Sequence, residues 1–264
     1  MSAPRLLVLT ATNSVHAVVL RRGPSHRVAS WGWNRATGTL SFGQWLSGRI
    51  FPFRSDLAPD GAHLVYLVDG GATGYRTVVS RAPYLHAIAQ VTQTDGWHGG
   101  GAFTADGALW LNGTGALPDC PREIRVTEDA RAYPPTSDGF HMGNLQVTKL
   151  MRRGWVHVSG TGYDAVLTRD LAGGWRLGQR FVLGTEDRAQ ITARYDLVDP
   201  SGAAMPQPDW DWAEPWGDGL HVTAGGHIWQ MEAPDAPPAP LHDLGGPLPP
   251  PVRAPYDDRP EVPR

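Results

Sequence analysis

The stretch from Asp56 to Pro83 restricts this chain most, because it alternates tight turns with short β-prone runs. Pro59 presets the first turn angle, Asp60 can bond its own backbone two residues on, and Gly61 accepts a positive φ. His63 to Val68 follows, rich in β-branched and aromatic residues, and Asp69-Gly70-Gly71 stops it at strand length. Gly74 to Pro83 reads as the answering strand. The unit is turn, strand, turn, strand.

It has an echo. Thr104-Ala105-Asp106-Gly107 launches Ala108 to Leu111 as Ala58-Pro59-Asp60-Gly61 launches the run from His63, and Asp60 and Asp106 are 46 residues apart. That interval lies among those of repeat architectures built from small sheets. Between and after these units the chain keeps the same rhythm. Leu6–Thr12, Val15–Leu20, 26–33 and 39–46 read as strands, and Tyr84–Val91 as a strand whose apolar spacing also fits a short helix. Trp155–Val158, Asp164–Thr168, Trp175–Leu183 and Ile191–Val198 continue the series. Gly225-Gly226 between Leu220–Ala224 and His227–Met231 is a two-residue hairpin signal. Pairing Ala224 with His227 would set Val222 opposite Trp229 and His221 opposite Gln230. Residues 114–148 offer no clear element beyond Glu123 to Val126 and read as a loop-rich inter-blade excursion or a degraded blade. Residues 234–264 hold 11 of the 24 prolines, so an extended tail is expected after a domain spanning 1–233.

Composition agrees with an all-β chain: 32 glycines, 24 prolines and 11 tryptophans mean many turns and much aromatic packing. A formal charge of −3 argues against a nucleic-acid surface, which needs clustered Lys and Arg. A single cysteine, Cys120, excludes an internal disulfide and any site needing two thiolates from one chain. No apolar run reaches the roughly 18 residues of a membrane span, and Leu6–Leu9 is too short for a secretion signal. A soluble, cytoplasmic protein is the expectation.

Ala58-Pro59-Asp60-Gly61 before His63-Leu64-Val65-Tyr66, with weaker echoes at Ala105-Asp106-Gly107 and Asp218-Gly219, resembles the blade repeat of TolB-like and WD40-like β-propellers. The resemblance implies a β-propeller of four-stranded antiparallel blades with a central channel and binding loops at one face. Roughly 230 residues at about 40 to 50 per blade gives about five blades. Fold alone fixes no chemistry.

Two loops are the candidate ligand sites. Asp95, Trp97 and His98, beside Gly99-Gly100-Gly101, set an acid, an aromatic ring and an imidazole on a permissive backbone that could line a channel mouth. The competing reading is a turn whose glycines serve packing alone. In Asp209-Trp210-Asp211-Trp212-Ala213-Glu214, strand alternation would put Trp210 and Trp212 on one face, a ring platform for a sugar, with Asp209 and Asp211 on the other. Paired acids such as Asp95, Asp211 or Glu214 could hydrolyse glycosides if held about 5.5 Å apart, or about 6.5 to 9.5 Å for inversion. The competing reading is blade packing with solvated acids.

Of the ten histidines, His221 and His227 fall on opposite faces under the Gly225-Gly226 register, and His98, His141 and His157 could converge only through tertiary structure, so neither metal nor cofactor is expected. Gly160-Thr-Gly162 matches a dinucleotide fingerprint in letters but precedes another turn at Gly173-Gly174 instead of a helix. No catalytic motif is present. The sequence is read as a non-catalytic binding module for a protein partner, small molecule or glycan, with a carbohydrate-binding or glycoside-hydrolysing propeller as the alternative. Oligomeric state is left open.

Overall fold

The computed structural model describes residues 3–23, 26–94, 98–112, 116–128, 142–183 and 191–258. Five small sheets stand in a ring as a five-bladed β-propeller. The first blade is β1 (Arg5–Thr10), β2 (His16–Arg22), β3 (Arg27–Asn34) and β4 (Leu40–Ser47), and the second is β5 (Arg49–Leu57), β6 (His63–Asp69), β7 (Tyr75–Arg81) and β8 (Ala87–Gln93). The third is thinner: β9 (Gly101–Phe103), β10 (Leu109–Leu111) and β11 (Val126–Thr127), the last paired parallel to β10. An α-helix, α1 (Met142–Arg152), separates it from a five-stranded fourth blade of β12 (Val156–Ser159), β13 (Val166–Asp170), β14 (Arg176–Leu183), β15 (Ile191–Val198) and β16 (Ala204–Gln207). The fifth is β17 (Trp210–Trp216), β18 (Gly219–Ala224), β19 (His227–Met231) and β20 (Ala239–Asp243). Among the described residues no helix is long and apolar enough to cross a membrane.

The turns work as their chemistry requires. Asp60 accepts the Ala62 amide at 2.9 Å, and Gly61 sits at φ 84°. A Cβ on Gly61 would also lie 2.8 Å from the His16 Cβ, so this turn packs against the first blade. Gly225 and Gly226 join β18 to β19 in the expected register, Val222 opposite Trp229 and His221 opposite Gln230. Residues 84–91 enter β8, with no helical turn. Gly160–Gly162 turns into β13, so no phosphate-binding helix follows it.

Two elements depart from the sequence reading. Residues 142–148 of the supposed loop at 114–148 belong to α1, whose buried residues include Lys149, 2% exposed, as well as Leu145 and Val147. A buried cation breaks the apolar stripe by which a helix is recognised. The second departure is in the proline-rich segment, where Ala239–Asp243 pairs with β19 and completes the fifth blade. Pro240 sits at a register shift on an edge strand, a position where a missing N–H is tolerated. Residues beyond it run back over the first two blades: Gln44 donates to the Val252 carbonyl at 3.0 Å, and Tyr256 donates to the His86 carbonyl at 2.9 Å.

Apolar seams between blades form the core. Tyr66, Leu64, Ile50 and Leu57 join Val18, Leu20 and Val28 between the first and second blades. Trp31, Trp33, Leu6 and Val19 meet Trp212 and Ile228 between the first and fifth.

Candidate functional site

The first strands of the blades gather round the axis: β1 touches β5 and β17, and β5 touches β9. In the fourth blade β15 touches β17, and α1 bridges from β5 to β12. The axial cavity, about 90 Å³, is lined by residues of β1, β2, β5, α1, β14, β15 and β17.

Local chain chemistry shapes its walls. Pro52 cannot donate to a ladder, and β5 loses register with β6 between Phe51 and Asp56. The bulged stretch turns its carbonyls toward α1, where Lys149 Nζ donates to Ser55 O at 2.7 Å and Phe53 O at 3.2 Å. Burial lowers the Lys149 ammonium to about 8, against the pull of Asp56.

The cavity is charged at both ends, unequally. Arg5 and Asp211, at the starts of β1 and β17, meet at 3.1 Å, while Thr10 donates to Glu214 at 2.9 Å near the strands' far ends. β1 and β17 therefore run side by side in the same sense. At the far end Arg153 pairs with Asp56 at 3.1 Å, and Glu214 is paired at 3.6 Å with Arg35, which stands behind the cavity wall. At the near end Arg5, Arg22 and Arg49 line the cavity together with Asp211 alone of the acids. Burial, then Arg49 and Arg5, push Arg22 down to about 10, and Asp211 works against them. Between the two ends stands Gln179, 3% exposed, whose Nε2 reaches Tyr195 Oη at 3.3 Å and whose Oε1 has no hydrogen-bond partner among the described residues.

The sequence-predicted residues separate. Asp95 and Trp97 lie outside the described residues. His98 is exposed, and its carbonyl faces the Arg54 guanidinium at 3.5 Å. The glycines beside it serve packing: at Gly100, φ 76°, a Cβ would lie 2.1 Å from the Arg54 carbonyl oxygen. Trp210 and Trp212 do not make one platform. Trp210 pairs with Ala224 and Trp212 with Thr223, so Asp211 is the extra residue of a β-bulge and the two rings leave opposite faces. Trp212, 9% exposed, enters the seam with Trp33, while Trp210 packs beside Tyr195 with ring centroids 6.4 Å apart.

Asp211 and Glu214 do both reach the axial cavity. Asp211 accepts from Arg5 Nε and from the Leu6 amide, at 3.1 and 3.2 Å. Burial pushes its carboxyl up from the ordinary range, and Arg5 and the Leu6 amide pull it back. Glu214 has Thr10 on one oxygen and Arg35 on the other. Arg35 in turn lies over the Trp216 ring at 4.5 Å and donates to His221 Nδ1 at 3.3 Å, a buried cage beside Trp33 and Trp212.

A second, open groove of about 560 Å³ adjoins the cavity, with Arg5 and Asp211 lining both. Trp210, Trp229, His227 and Asp209 face it. Of the residues named from the sequence, Trp210, Asp211, Trp212 and Glu214 line the cavity or the groove, whereas Arg5, Arg22, Arg49, Lys149, Arg153 and Gln179 were not named. One signal was available for the arginines: Arg5 and Arg22 each sit at the outer end of a strand of one hairpin, which makes them partners. Among the described residues no three His, Cys, Asp or Glu side chains gather as a metal site. No family model matches this chain, and neither does any curated protein.

Proposed function

We propose that this propeller is a binding module that holds a small molecule in its axial cavity. The observation that carries the reading is the cavity itself, at the axis of the ring and lined by arginines, acids and a buried Gln179 amide oxygen with no partner among the described residues. Such a mixture of apolar wall and few polar groups is how ligand sites are built. The four oxygens of Asp211 and Glu214 are all held by protein donors, which favours binding over acid–base chemistry by these two groups. The Pro59-Asp60-Gly61 turn supports kinship with TolB-like or WD40-like repeats at the level of the blade.

A second reading has its own observation. Trp210 and Trp229 share the open groove with Asp209 and Asp211, an arrangement of flat rings and carboxylates suited to a glycan. A thermal-shift screen of metabolites and glycans separates the two. A ligand held at about a hundred times its Kd adds about 2.7 kcal/mol. The expected result is a metabolite that stabilises the native protein but not Ala193→Phe, which puts a ring into the axial cavity. Stabilisation by a glycan that survives Ala193→Phe and fails in Trp210→Ala would transfer the function to the groove.

A further inference from the structure

We propose that Arg5, Arg22 and Arg49 form an anion site that takes the phosphate or carboxylate group of a small ligand at the near end of the axial cavity. The proposal deepens the binding reading above and rests on it.

Three observations converge. Arg5 and Arg22 are directly opposed across the β1–β2 ladder, a pairing of like charges that costs stability in a sheet. Arg49 comes from the neighbouring blade to the same end of the cavity. Among the described residues Asp211 is the one carboxylate lining that end, and it is engaged by Arg5 and the Leu6 amide. The Arg22 side chain makes no hydrogen bond or ion pair among the described residues, and burial together with its two arginine neighbours disfavours its charge.

The Arg22 guanidinium, kept charged in that setting, presents a planar fork of donors that no group among the described residues receives. An oxyanion supplies the missing acceptors in bidentate geometry and the missing negative charge together. The contrast with the far end is informative, because there Arg153 and Arg35 are each matched by an acid. Gln179, further along the same wall, offers a free amide oxygen to a hydroxyl of the ligand's body. The expected ligand is therefore a small hydroxylated anion, either a phosphate ester or a hydroxy acid.

Calorimetric and thermal-shift titrations of the full chain test this, with inorganic phosphate, glycerol 3-phosphate, citrate and, at matched ionic strength, sodium chloride. Saturable binding of phosphate compounds or of citrate, absent with chloride, is expected, and the stronger of the two identifies the anion class. Arg22→Gln should weaken that binding about tenfold or more while raising the melting temperature of the ligand-free protein, since it removes a like-charge contact. Arg49→Gln serves as the second variant if Arg22→Gln does not fold. Equal effects of phosphate, citrate and chloride, or binding unchanged in both variants, would overturn the anion site. In that event a neutral metabolite whose stabilisation is lost in Ala193→Phe would leave the axial-cavity reading standing, and the absence of any such ligand would remove both.

Discussion

His221 shows how closely one side chain can be tied to its protonation state. It is 1% exposed, accepts from Arg35 through Nδ1, and stacks on Trp216 with ring centroids 5.3 Å apart. Burial and then the Arg35 charge push its pKa down to about 3. Because the folded value lies below the ordinary one near 6.5, the unfolded chain binds the extra proton first, and stability falls as pH drops from about 6.5 toward 3. The slope contributed approaches roughly 1.4 kcal/mol per pH unit within that window. His221→Gln keeps an acceptor for Arg35 and cannot titrate, so its melting temperature should fall less between pH 6.5 and 4.5 than that of the native protein, as read by scanning calorimetry. An equal decline in both would remove His221 as the source of acid sensitivity.

At the scale of elements, the proline-rich segment matters most for stability. β20 covers the edge of β19, which would otherwise present unpaired N–H and C=O groups. Ending the chain after Ala233 should therefore lower the melting temperature and promote aggregation, whereas ending it after Leu244 should spare the sheet and remove the contacts of the trailing segment, among them those of Arg21 with Gly245, Gln44 with Val252 and His86 with Tyr256 and Asp257. Comparing the two truncations by thermal denaturation and light scattering decides whether the strand or the trailing segment carries the effect. Most elements were legible because turn chemistry and strand alternation are local. The Gly225-Gly226 hairpin fixes its own register, and Asp60-Gly61 its own φ. α1 was not legible, since Lys149 is buried only because a bulge in β5, nearly a hundred residues earlier, offers it two carbonyls. The Trp210–Trp212 platform failed for a similar reason. A single bulge at Asp211, set by pairing with β18, reverses the face of everything after it. The arginine cluster needed three strands from two blades to come together, which spacing in one chain does not reveal.

At the scale of the whole molecule, the ring is closed without a shared strand. Every blade is built from one continuous stretch, and the last blade contains none of the first. Between the first two blades a backbone bond, Asn13 N to Pro59 O at 2.8 Å, helps to hold the seam. Between the fifth and first, every hydrogen bond among the described residues uses a side chain. Asp211 receives the Leu6 amide, Thr223 Oγ1 donates to Leu6 O at 2.7 Å, and Thr10 donates to Glu214. Asp211→Ala leaves the Leu6 amide and Arg5 without their acceptor and should cost about 1–3 kcal/mol, measurable by urea denaturation.

The side chains that close the ring are also walls of the cavity, so a bound molecule and a shut seam favour one another by mass action. Leu6 gives this a local reporter. Its amide proton, held by Asp211 and not by a ladder partner, becomes a clock for the parting of the two terminal blades, and a ligand that engages Arg5 would slow that clock without touching Leu6.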